Sequence, residues 1–300
     1  MKNISMDYIS SGKFEYKENY NLSKLSSMKV GGIARIIVMP SSVGQLADLV
    51  RFLTEAGESF ITVGGCTNIL FATDLYDGVI ISTRHLRGLS LCNDHIVAEC
   101  GASLSSIMKF AKDLGYGGAE ELSLIPGSVG AAVCGNSGAH GKEISDIVAD
   151  VTLFRPFDAE IITLDREQMQ FAYRSSIIKS GLDAVVLSCE IALGAIDPEE
   201  SDLRRRSFLE ARRALQPFDE PSLGSVFKRV CGVSAGYYIE KAGLKGYRIG
   251  GAAVSSKHAG FIVTSPGATW REVLCLIELI EARVFKCFGI DLEREITVIS

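Results

Sequence analysis

Three polar groups, the last of them a pair of glutamates, stand out among apolar or glycine neighbours in this chain of 300 residues. Arg174 follows an apolar segment, 169–173, and a guanidinium held away from water needs an anionic partner or an anionic ligand. Ser225 lies in Leu-Gly-Ser-Val-Phe, where a ligand can approach its hydroxyl group at little steric cost. Glu293 and Glu295 stand two apart in the last predicted strand, so their carboxylates share one face. An ordinary role stays open for each: a structural ion pair, a turn serine and surface carboxylates.

Glycine-rich stretches at two places predict contacts with phosphate groups of a ligand. Residues 119–141 hold glycines at 127, 130, 135, 138 and 141 among small or apolar residues. Glycine permits turns with positive φ that point successive N–H groups into one concave space, which an anion commonly occupies. Residues 64–70, GGCTNIL, match neither a Walker A loop nor a GxGxxG fingerprint, because no Gly-Lys-Ser/Thr follows and the glycines are adjacent. A packed structural loop is the alternative at both places.

Hydrophobic spacing and capping residues predict the elements that must position these groups. Residues 64–70 follow a predicted strand, in a strand–helix–strand order typical of a β-α-β unit. Predicted strands lie at 36–39, 60–63, 78–82, 147–154, 159–164, 183–193, 249–254, 261–264 and 290–299, with a hairpin at 89–101 that turns at 93–94. Predicted helices lie between Ser42 and Gly57 and at 103–114, 198–213, 235–242 and 270–288.

Composition and charge narrow the class of protein. Apolar residues make up 47% and charged residues 22% of the chain, as in globular proteins with a buried core, and the length suggests about two domains. The net charge of −5 and the lack of a long Lys/Arg run argue against nucleic acid as a partner. Apolar runs are only strand-sized and the first residues show no signal-peptide core, so we predict a cytoplasmic protein without a membrane span. The 8 cysteines and 4 histidines lack metal-ligand spacing, which predicts reduced thiols and no metal site.

A series of motifs stands in one order along most of the chain. They are KVGGIA at 29–34, GGCTNIL at 64–70, LIPGSVGAAVCGNSGAHG at 124–141, YRSS at 173–176, GSVFKR at 224–229, IEKAGLKGYRIGGAAVSSKHAGFIV at 239–263 and FGIDLEREI at 288–296. Together they resemble the MurB family of UDP-N-acetylenolpyruvoylglucosamine reductases, and the resemblance covers residues 25–299. The segment at 239–263 is highly specific.

The resemblance implies an α+β fold. A two-subdomain FAD-binding fold of the vanillyl-alcohol-oxidase (PCMH-type) superfamily is followed by a C-terminal α/β substrate-binding domain. The expected boundaries are 1–84 and 85–197 for the FAD-binding subdomains and 198–300 for the substrate-binding domain, with a disordered or loosely packed arm at 1–20. No insertion follows YRSS, so the chain is similar to the shorter, type II form of the family.

The resemblance also implies an oxidoreductase of peptidoglycan precursor synthesis, a UDP-N-acetylmuramate dehydrogenase with non-covalent FAD and with NADPH as co-substrate. Hydride is expected to pass from NADPH to FAD and then to the methylene carbon of the enolpyruvyl group. Arg174 is expected to hold the carboxylate where negative charge develops, Glu295 to complete that electrophilic site, and Ser225 to protonate the α carbon. A FAD-dependent alcohol or hydroxy-acid oxidase of the same fold and a non-catalytic flavin-binding module are the alternatives.

The other motif positions that match the family supply two further sets of residues. The expected FAD-binding residues are Gly64, Gly65, Cys66, Thr67, Asn68, Leu70, Pro126, Gly127, Ser128, Gly130, Asn136, Gly138, His140 and Arg229. The expected substrate-binding residues are Tyr173, Lys228, Lys257 and His258. Four residues near the expected cofactor differ from those usual in the family, and we expect them to affect FAD affinity. They are Cys66, Thr67, Leu124 and Ala131. The expected partners are small molecules only, with no nucleic acid and no membrane, and we predict a monomer.

Overall fold

The computed structural model describes residues 3–300, in which helices and strands are mixed, as predicted for an α+β fold. The α-helices of this range are α1 (Asn3–Ile9), α2 (Val43–Glu55), α3 (Leu104–Asp113), α4 (Val129–Cys134), α5 (Pro198–Leu215), α6 (Ala235–Lys241) and α7 (Trp270–Phe288). The strands of the same range are β1 (Glu15–Asn21), β2 (Ile33–Met39), β3 (Phe60–Val63), β4 (Ile69–Phe71), β5 (Leu75–Ser82), β6 (Leu89–Cys92), β7 (His95–Glu99), β8 (Tyr116–Gly117), β9 (Gly138–Ala139), β10 (Lys142–Glu143), β11 (Val148–Arg155), β12 (Glu160–Asp165), β13 (Val185–Ile191), β14 (Gly194–Ala195), β15 (Ser222–Ser225), β16 (Arg248–Ile249), β17 (Ala252–Val254), β18 (Phe261–Thr264) and β19 (Thr297–Ile299). Short 3-10 helices cover Leu22–Lys24, Glu120–Leu124 and Ile144–Asp146.

The chain divides into two compact units that are not continuous in sequence. Unit 1 takes in the chain up to Glu18, Ile36–Gly65 and Gly78–Leu209. Unit 2 takes in Asn19–Arg35, Cys66–Asp77 and Glu210–Ser300. Each unit has its own hydrophobic core. The predicted division at 84 and 197 is a finer one and stays a prediction.

Helix α2 shows how the sequence builds unit 1. Its N-terminus is capped by Ser42, whose side chain accepts a hydrogen bond from the N–H of Gln45 (3.2 Å). Leu46, Leu49 and Leu53 lie on one face at helical spacing and are fully buried. Each buried leucine contributes roughly 1.5–3 kcal/mol through the hydrophobic effect, so this face fixes the helix on the core.

Two sheets carry the loops of unit 1. Most of one sheet, in the order β1–β2–β5–β3, lies in unit 1, and its strands β3 and β5 are parallel. The other is an antiparallel sheet in the order β12–β11–β13–β7–β6. The predicted hairpin at 89–101 is confirmed as β6 and β7, and the residues at its turn, Asn93 and Asp94, both have positive φ, as a two-residue hairpin loop requires.

The segment predicted as a loosely packed arm, 1–20, needs a correction over its described residues. Helix α1 and most of strand β1 lie within it. Ile9 is fully buried and Phe14 is 7% exposed, and the Tyr8 ring stacks on Phe52 with ring centroids 3.9 Å apart. The prediction followed the polar residues of the segment, whereas these few apolar side chains anchor it to the core of unit 1.

Unit 2 is built around α7 and an antiparallel sheet in the order β15–β18–β17–β16. The prediction of a helix at 270–288 is confirmed. A reciprocal capping box between Thr269 and Glu272 starts α7, and Gly289, with φ +66°, ends it in the left-handed region. Strand β19, near the end of the chain, pairs in parallel with β4.

Two predicted strands of unit 2 are shorter than expected. The strand predicted at 249–254 is interrupted by Gly250 and Gly251, which separate β16 from β17. The strand predicted at 290–299 is confirmed only over Thr297–Ile299. Residues 290–296 form a single bridge, between Arg294 and Phe227, so the argument that Glu293 and Glu295 share a strand face is wrong.

None of the helices in residues 3–300 is long and apolar enough to cross a membrane. The cysteines at positions 92, 100, 134, 189, 231, 275 and 287 are free thiols. Four of them, at positions 92, 231, 275 and 287, are exposed, although the sequence predicted buried thiols for most of them.

Candidate active site

The two glycine-rich segments predicted to bind a ligand meet inside unit 1. A methyl group added to Gly64 would overlap the hydroxyl oxygen of Ser128 and would lie 2.9 Å from its Cβ. Ser128 is 4% exposed and caps α4, because its side chain accepts a hydrogen bond from the N–H of Ala131 (3.5 Å). Only glycine fits at position 64, so the close approach of the two loops is a property of this sequence.

The second loop is fixed from behind. The N–H of Gly130 donates to the carbonyl of Cys100 (2.9 Å), and a methyl group at Gly130 would lie 3.0 Å from Cys100 Cβ. Gly127 has a φ of +124°, which an L side chain rarely adopts. Glycine-rich loops of this kind commonly bind phosphate groups, although the N–H of Gly130 itself is already bonded within the protein.

Several predicted site residues other than glycine have a left-handed backbone conformation. The φ angles of Cys66, Asn136, His140 and Arg174 are +51°, +41°, +52° and +55°. This conformation costs of order 1–3 kcal/mol per residue and tends to cluster at functional sites. The strain at these positions is therefore consistent with a functional role for these loops.

Arg174 lies in unit 1, at a tight turn closed by the bridge between Ala172 and Ser175. Its side chain is 20% exposed. One terminal nitrogen donates to the carbonyl of Gly138 (3.2 Å), and the other donates to the carbonyl of Asn136 (3.4 Å) and lies 3.7 Å from a carboxylate oxygen of Glu143. An ion pair at that distance is longer than a hydrogen bond. Two backbone carbonyl groups thus help to orient the guanidinium.

Asn136 links this turn to the rest of the glycine-rich segment. It is 1% exposed, and its side-chain N–H₂ group donates to Glu143 (2.8 Å) and to the carbonyl of Ala172 (3.0 Å). Its side-chain oxygen accepts from the N–H of Ser145 (3.2 Å). Glu143 therefore contacts both Asn136 and Arg174. Sequence analysis missed Glu143, although it stands directly after the segment that ends at Gly141.

Ser225 lies in unit 2, at the end of β15 and after Gly224, whose φ is +79°. Its hydroxyl group donates to the carbonyl of Phe227 (3.1 Å), which is the local hydrogen bond of a turn serine. A methyl group added to Gly260 would lie 3.6 Å from the Ser225 oxygen, so the hydroxyl group also faces the loop before β18. Ser225 therefore has the hydrogen bond of a turn serine and also lies beside the loop that contains Gly260.

Glu295 also lies in unit 2, next to Asn68. The N–H of Glu295 donates to the carbonyl of Val226 (2.8 Å), and its own carbonyl accepts from the Asn68 side chain (3.1 Å). Two predicted site residues that are 227 positions apart are thus in contact. Glu293, in contrast, is 71% exposed and forms an ion pair with Lys228. The surface role is therefore the one that the structure supports for Glu293.

The remaining predicted substrate-binding residues of unit 2 have other partners. Lys257 donates to the carbonyl of Arg213, and Arg229, predicted as a FAD ligand, donates to the carbonyl of Gly232 (2.9 Å). The ring of His258 accepts a hydrogen bond at Nδ1 from the N–H of Gly260 (3.1 Å). Burial lowers the pKa of His258, the largest effect on it.

The degree of burial differs among the predicted site residues. Buried ones are Cys66, Leu70, Ser128, Gly130 and Asn136. Half-buried ones are Gly64, Gly65, Thr67, Gly127, Gly138, Arg174, Ser225, Lys228, His258 and Glu295. Exposed ones are Asn68, Pro126, His140, Tyr173, Arg229 and Lys257. Among the described residues no group of three or more His, Cys, Asp or Glu side chains is placed to hold a metal ion.

Two family models match the chain. A model described as "FAD binding domain" matches residues 34–165, and a model described as "UDP-N-acetylenolpyruvoylglucosamine reductase, C-terminal domain" matches residues 216–299. The first covers the two glycine-rich segments, and the second covers Ser225 and Glu295. The fold is therefore that of an FAD-dependent oxidoreductase.

Proteins similar to this chain match it over almost their whole lengths. The UDP-N-acetylenolpyruvoylglucosamine reductase of Caldicellulosiruptor bescii is 39% identical over 98% of this chain and 93% of its own, and that of Syntrophomonas wolfei is 36% identical over 95% of each. The crystal structure of UDP-N-acetylenolpyruvylglucosamine reductase (MurB) from Thermus caldophilus is 28% identical, with a TM-score of 0.81 over 96% of this chain and 99% of that one. The chain belongs to the UDP-N-acetylenolpyruvoylglucosamine reductase family.

Proposed function

We propose that this chain reduces the enolpyruvyl group of UDP-N-acetylenolpyruvoylglucosamine to give UDP-N-acetylmuramate, a step of peptidoglycan precursor synthesis, and that NADPH supplies the electrons. The observation that carries the proposal is the 39% identity to a reductase of that name over 98% of this chain. FAD, when bound, supplies the hydride-transfer chemistry, and the protein supplies binding, orientation and electrostatics.

In this proposal the loops at 64–65 and 127–130 of unit 1 bind the pyrophosphate of non-covalent FAD. Arg174 binds the carboxylate of the enolpyruvyl group. When the terminal methylene carbon gains hydride, negative charge develops as an enolate of this carboxylate, and a guanidinium can hold it through two parallel hydrogen bonds. The contacts of Arg174 to Gly138 and Asn136 support this role, because they orient the side chain before the charge forms.

Ser225 donates the proton to the α carbon. A hydroxyl group is a weak acid, so its position and its cationic neighbour in sequence, Lys228, matter for this step. Glu295 acts on the developing charge in its protonated form or paired with a cation, because an unpaired carboxylate would repel the substrate. The backbone contact of Glu295 with Val226 supports a common location of Ser225 and Glu295 within unit 2.

Further details of the proposal concern partners and location. Tyr173, Lys228 and Lys257 bind the sugar nucleotide, and the protein acts as a monomer on small molecules. A cytoplasmic location is supported by the exposed free thiols at positions 92, 231, 275 and 287, since reducing compartments keep thiols free.

The proposal is tested by separating the two half-reactions of the FAD-loaded protein. Oxidation of NADPH that continues only when the enolpyruvyl sugar nucleotide is supplied, with UDP-N-acetylmuramate as product, supports it. Continuous NADPH oxidation with O₂ and without that substrate identifies an oxidase, and no turnover with either identifies a non-catalytic flavin protein.

The Ser225→Ala variant tests the assignment of the proton donor. Flavin reduction by NADPH should change less than about twofold, whereas the second half-reaction should slow by about 10²–10⁴-fold because its proton donor is lost. Ser265→Ala, at an exposed hydroxyl that contacts the carbonyl of Gly251, is the control and should leave both steps unchanged. Equal slowing of both half-reactions by Ser225→Ala would show that the assigned role is wrong.

A further inference from the structure

The backbone of Gly260 connects the His258 ring to the segment that contains Ser225. Its N–H donates to Nδ1 of His258 (3.1 Å), and its carbonyl accepts from the N–H of Val226 (3.0 Å). Val226 is the residue directly after Ser225. The two backbone hydrogen bonds of this one residue, on either side of its Cα, thus lead from the imidazole to the residue next to Ser225.

A side chain at Gly260 or at the neighbouring Gly236 would collide with surrounding atoms. A methyl group added to Gly260 would lie 2.9 Å from Cε1 of His258, and one added to Gly236, at the start of α6, would lie 2.8 Å from the N atom of Gly260 and 3.3 Å from the same Cε1. Ser225 Oγ would lie 3.6 Å from the Gly260 methyl group, so the imidazole and the hydroxyl group flank one point. The ring therefore packs between α6 and the backbone N–H of Gly260.

We propose that His258 is a positioning residue for Ser225 and that it acts through the N–H of Gly260. The proposal rests on the proposed function, in which Ser225 donates a proton. Only a neutral imidazole with its proton on Nε2 can accept this hydrogen bond. When Nδ1 binds a proton, two donors face each other, the bond is lost, and the Gly260 carbonyl is no longer held in place for Val226.

The charged groups that face His258 come from two neighbouring segments. Glu240 of α6 raises its pKa and Lys245, which follows α6, lowers it, and these two side chains are paired at 3.0 Å. Burial has the largest effect and lowers the pKa, a hydrogen bond with the backbone of His258 itself raises it, and the effects of the two charged groups are smaller. The Phe261 ring of β18, 4.9 Å away, and the Ser225 hydroxyl group of β15 carry no charge, and the adjacent Lys257 donates to Arg213. The ring is therefore neutral near pH 7.

The sign of the pH effect follows from the lowered pKa. Folded His258 binds a proton less readily than an unfolded histidine, whose pKa is about 6.5. The contact with Gly260 contributes to stability fully above that pH, and this contribution is lost as the pH falls through the lowered pKa. Proton transfer from Ser225 should fall over the same acidic range, whereas flavin reduction by NADPH should not follow it.

The experiment compares His258→Asn with His258→Leu in the FAD-loaded protein. Asparagine places a carbonyl oxygen where Nδ1 stands and does not titrate between pH 5 and 8, whereas leucine offers no acceptor. The rate of the second half-reaction is measured in single turnovers from about pH 5 to 8. The control is His95→Asn, since His95 has a 37% exposed side chain in unit 1.

We expect His258→Leu to slow the second half-reaction about tenfold at pH 8, where the hydrogen bond is intact, and by less at acidic pH, where the unmodified protein has lost it too. His258→Asn should stay within about threefold of the unmodified protein at pH 8 and should lose the acidic decline. The control should keep the decline. An unchanged rate in His258→Leu, or an acidic decline that persists in His258→Asn, overturns the proposal.

A second measurement does not depend on activity. Nitrogen NMR of the histidine rings in the cofactor-free protein should show Nδ1 of His258 unprotonated and Nε2 protonated at pH 7, and the Gly260 amide signal should shift as His258 titrates. A proton on Nδ1 at pH 7 overturns the proposal. If the unmodified protein makes no product, the proposed function has failed; if it is active and His258→Leu is too, only the positioning role has failed.

Discussion

Replacement of Gly64 by alanine tests the packing of the two glycine-rich loops. The added methyl group would overlap the Ser128 hydroxyl group, so the Ser128 side chain must move and its cap on α4 is lost. Loss of an N-cap costs about 1 kcal/mol, and overpacking of a tight site costs about 1–3 kcal/mol. Reduced freedom of the unfolded chain returns about 0.4–1 kcal/mol. The net loss of unfolding free energy should be about 1–3 kcal/mol.

The assay is denaturation of the cofactor-free protein, followed by titration with FAD. Gly194→Ala is the matched control, because a methyl group there would meet no atom within 4 Å. It should change the unfolding free energy by less than about 0.5 kcal/mol. In the Gly64→Ala variant FAD should bind more weakly, since the loops proposed to bind its pyrophosphate are pushed apart.

The Gly64→Ala/Ser128→Ala double variant tests whether the overlap between residues 64 and 128 causes the loss of stability. Removal of the hydroxyl oxygen relieves the overlap, although the methyl group would still lie 2.9 Å from Cβ of residue 128. The double variant should therefore be more stable than the sum of the single losses predicts, by about 1 kcal/mol. If Gly64→Ala is as stable as Gly194→Ala, or if the two losses add without coupling, the loops do not pack as described.

Further predictions concern Arg174 and the cysteines. Arg174→Lys should slow the second half-reaction by about 10²-fold or more, because an ammonium cannot form the paired bonds of a guanidinium. Flavin reduction by NADPH should be unchanged in stopped-flow traces. A second half-reaction as fast in the variant as in the unmodified protein would exclude a bidentate role for Arg174. Glu143→Gln, which keeps an acceptor for Asn136 but removes the long ion pair, should slow that step by less than about fivefold, since partly exposed pairs contribute about 0.2–1 kcal/mol; a loss as large as that of Arg174→Lys would contradict this. Burial raises the pKa of Cys100 and Cys189 to about 12, so iodoacetamide at about pH 8 should label the four exposed cysteines in mass spectra and spare these two; their labelling in the folded protein would refute the described burial.

Local patterns predicted the regular elements because their causes are local. Helix α7 has an apolar stripe, a capping box and a terminal glycine, all encoded within twenty-one consecutive residues, Thr269–Gly289. The turn of the β6–β7 hairpin follows from two residues that tolerate positive φ. The end of the chain was mispredicted because its alternating apolar residues fit a strand, whereas residues 290–296 have only one bridged partner, at Phe227.

The candidate site was predictable in its residue types and not in its contacts. Glycine spacing pointed to 64–70 and 119–141, but no pattern in the sequence indicates that Gly64 touches Ser128 or that Asn68 touches Glu295. Such pairs depend on tertiary packing between segments far apart in the chain. The role of Glu143 was missed for the same reason, since its link to Arg174 exists only once Asn136 is folded between them.

The interleaving of the two units constrains how the polypeptide can be made and cut. Unit 2 draws on Asn19–Arg35 and Cys66–Asp77 as well as on the last ninety-one residues, Glu210–Ser300, and β4 pairs with β19 at the far end of the chain. During synthesis, β4 therefore leaves the ribosome long before its partner β19 has been made. No single proteolytic cut liberates unit 2 whole, and a chimaera that exchanged it between relatives would need three grafts.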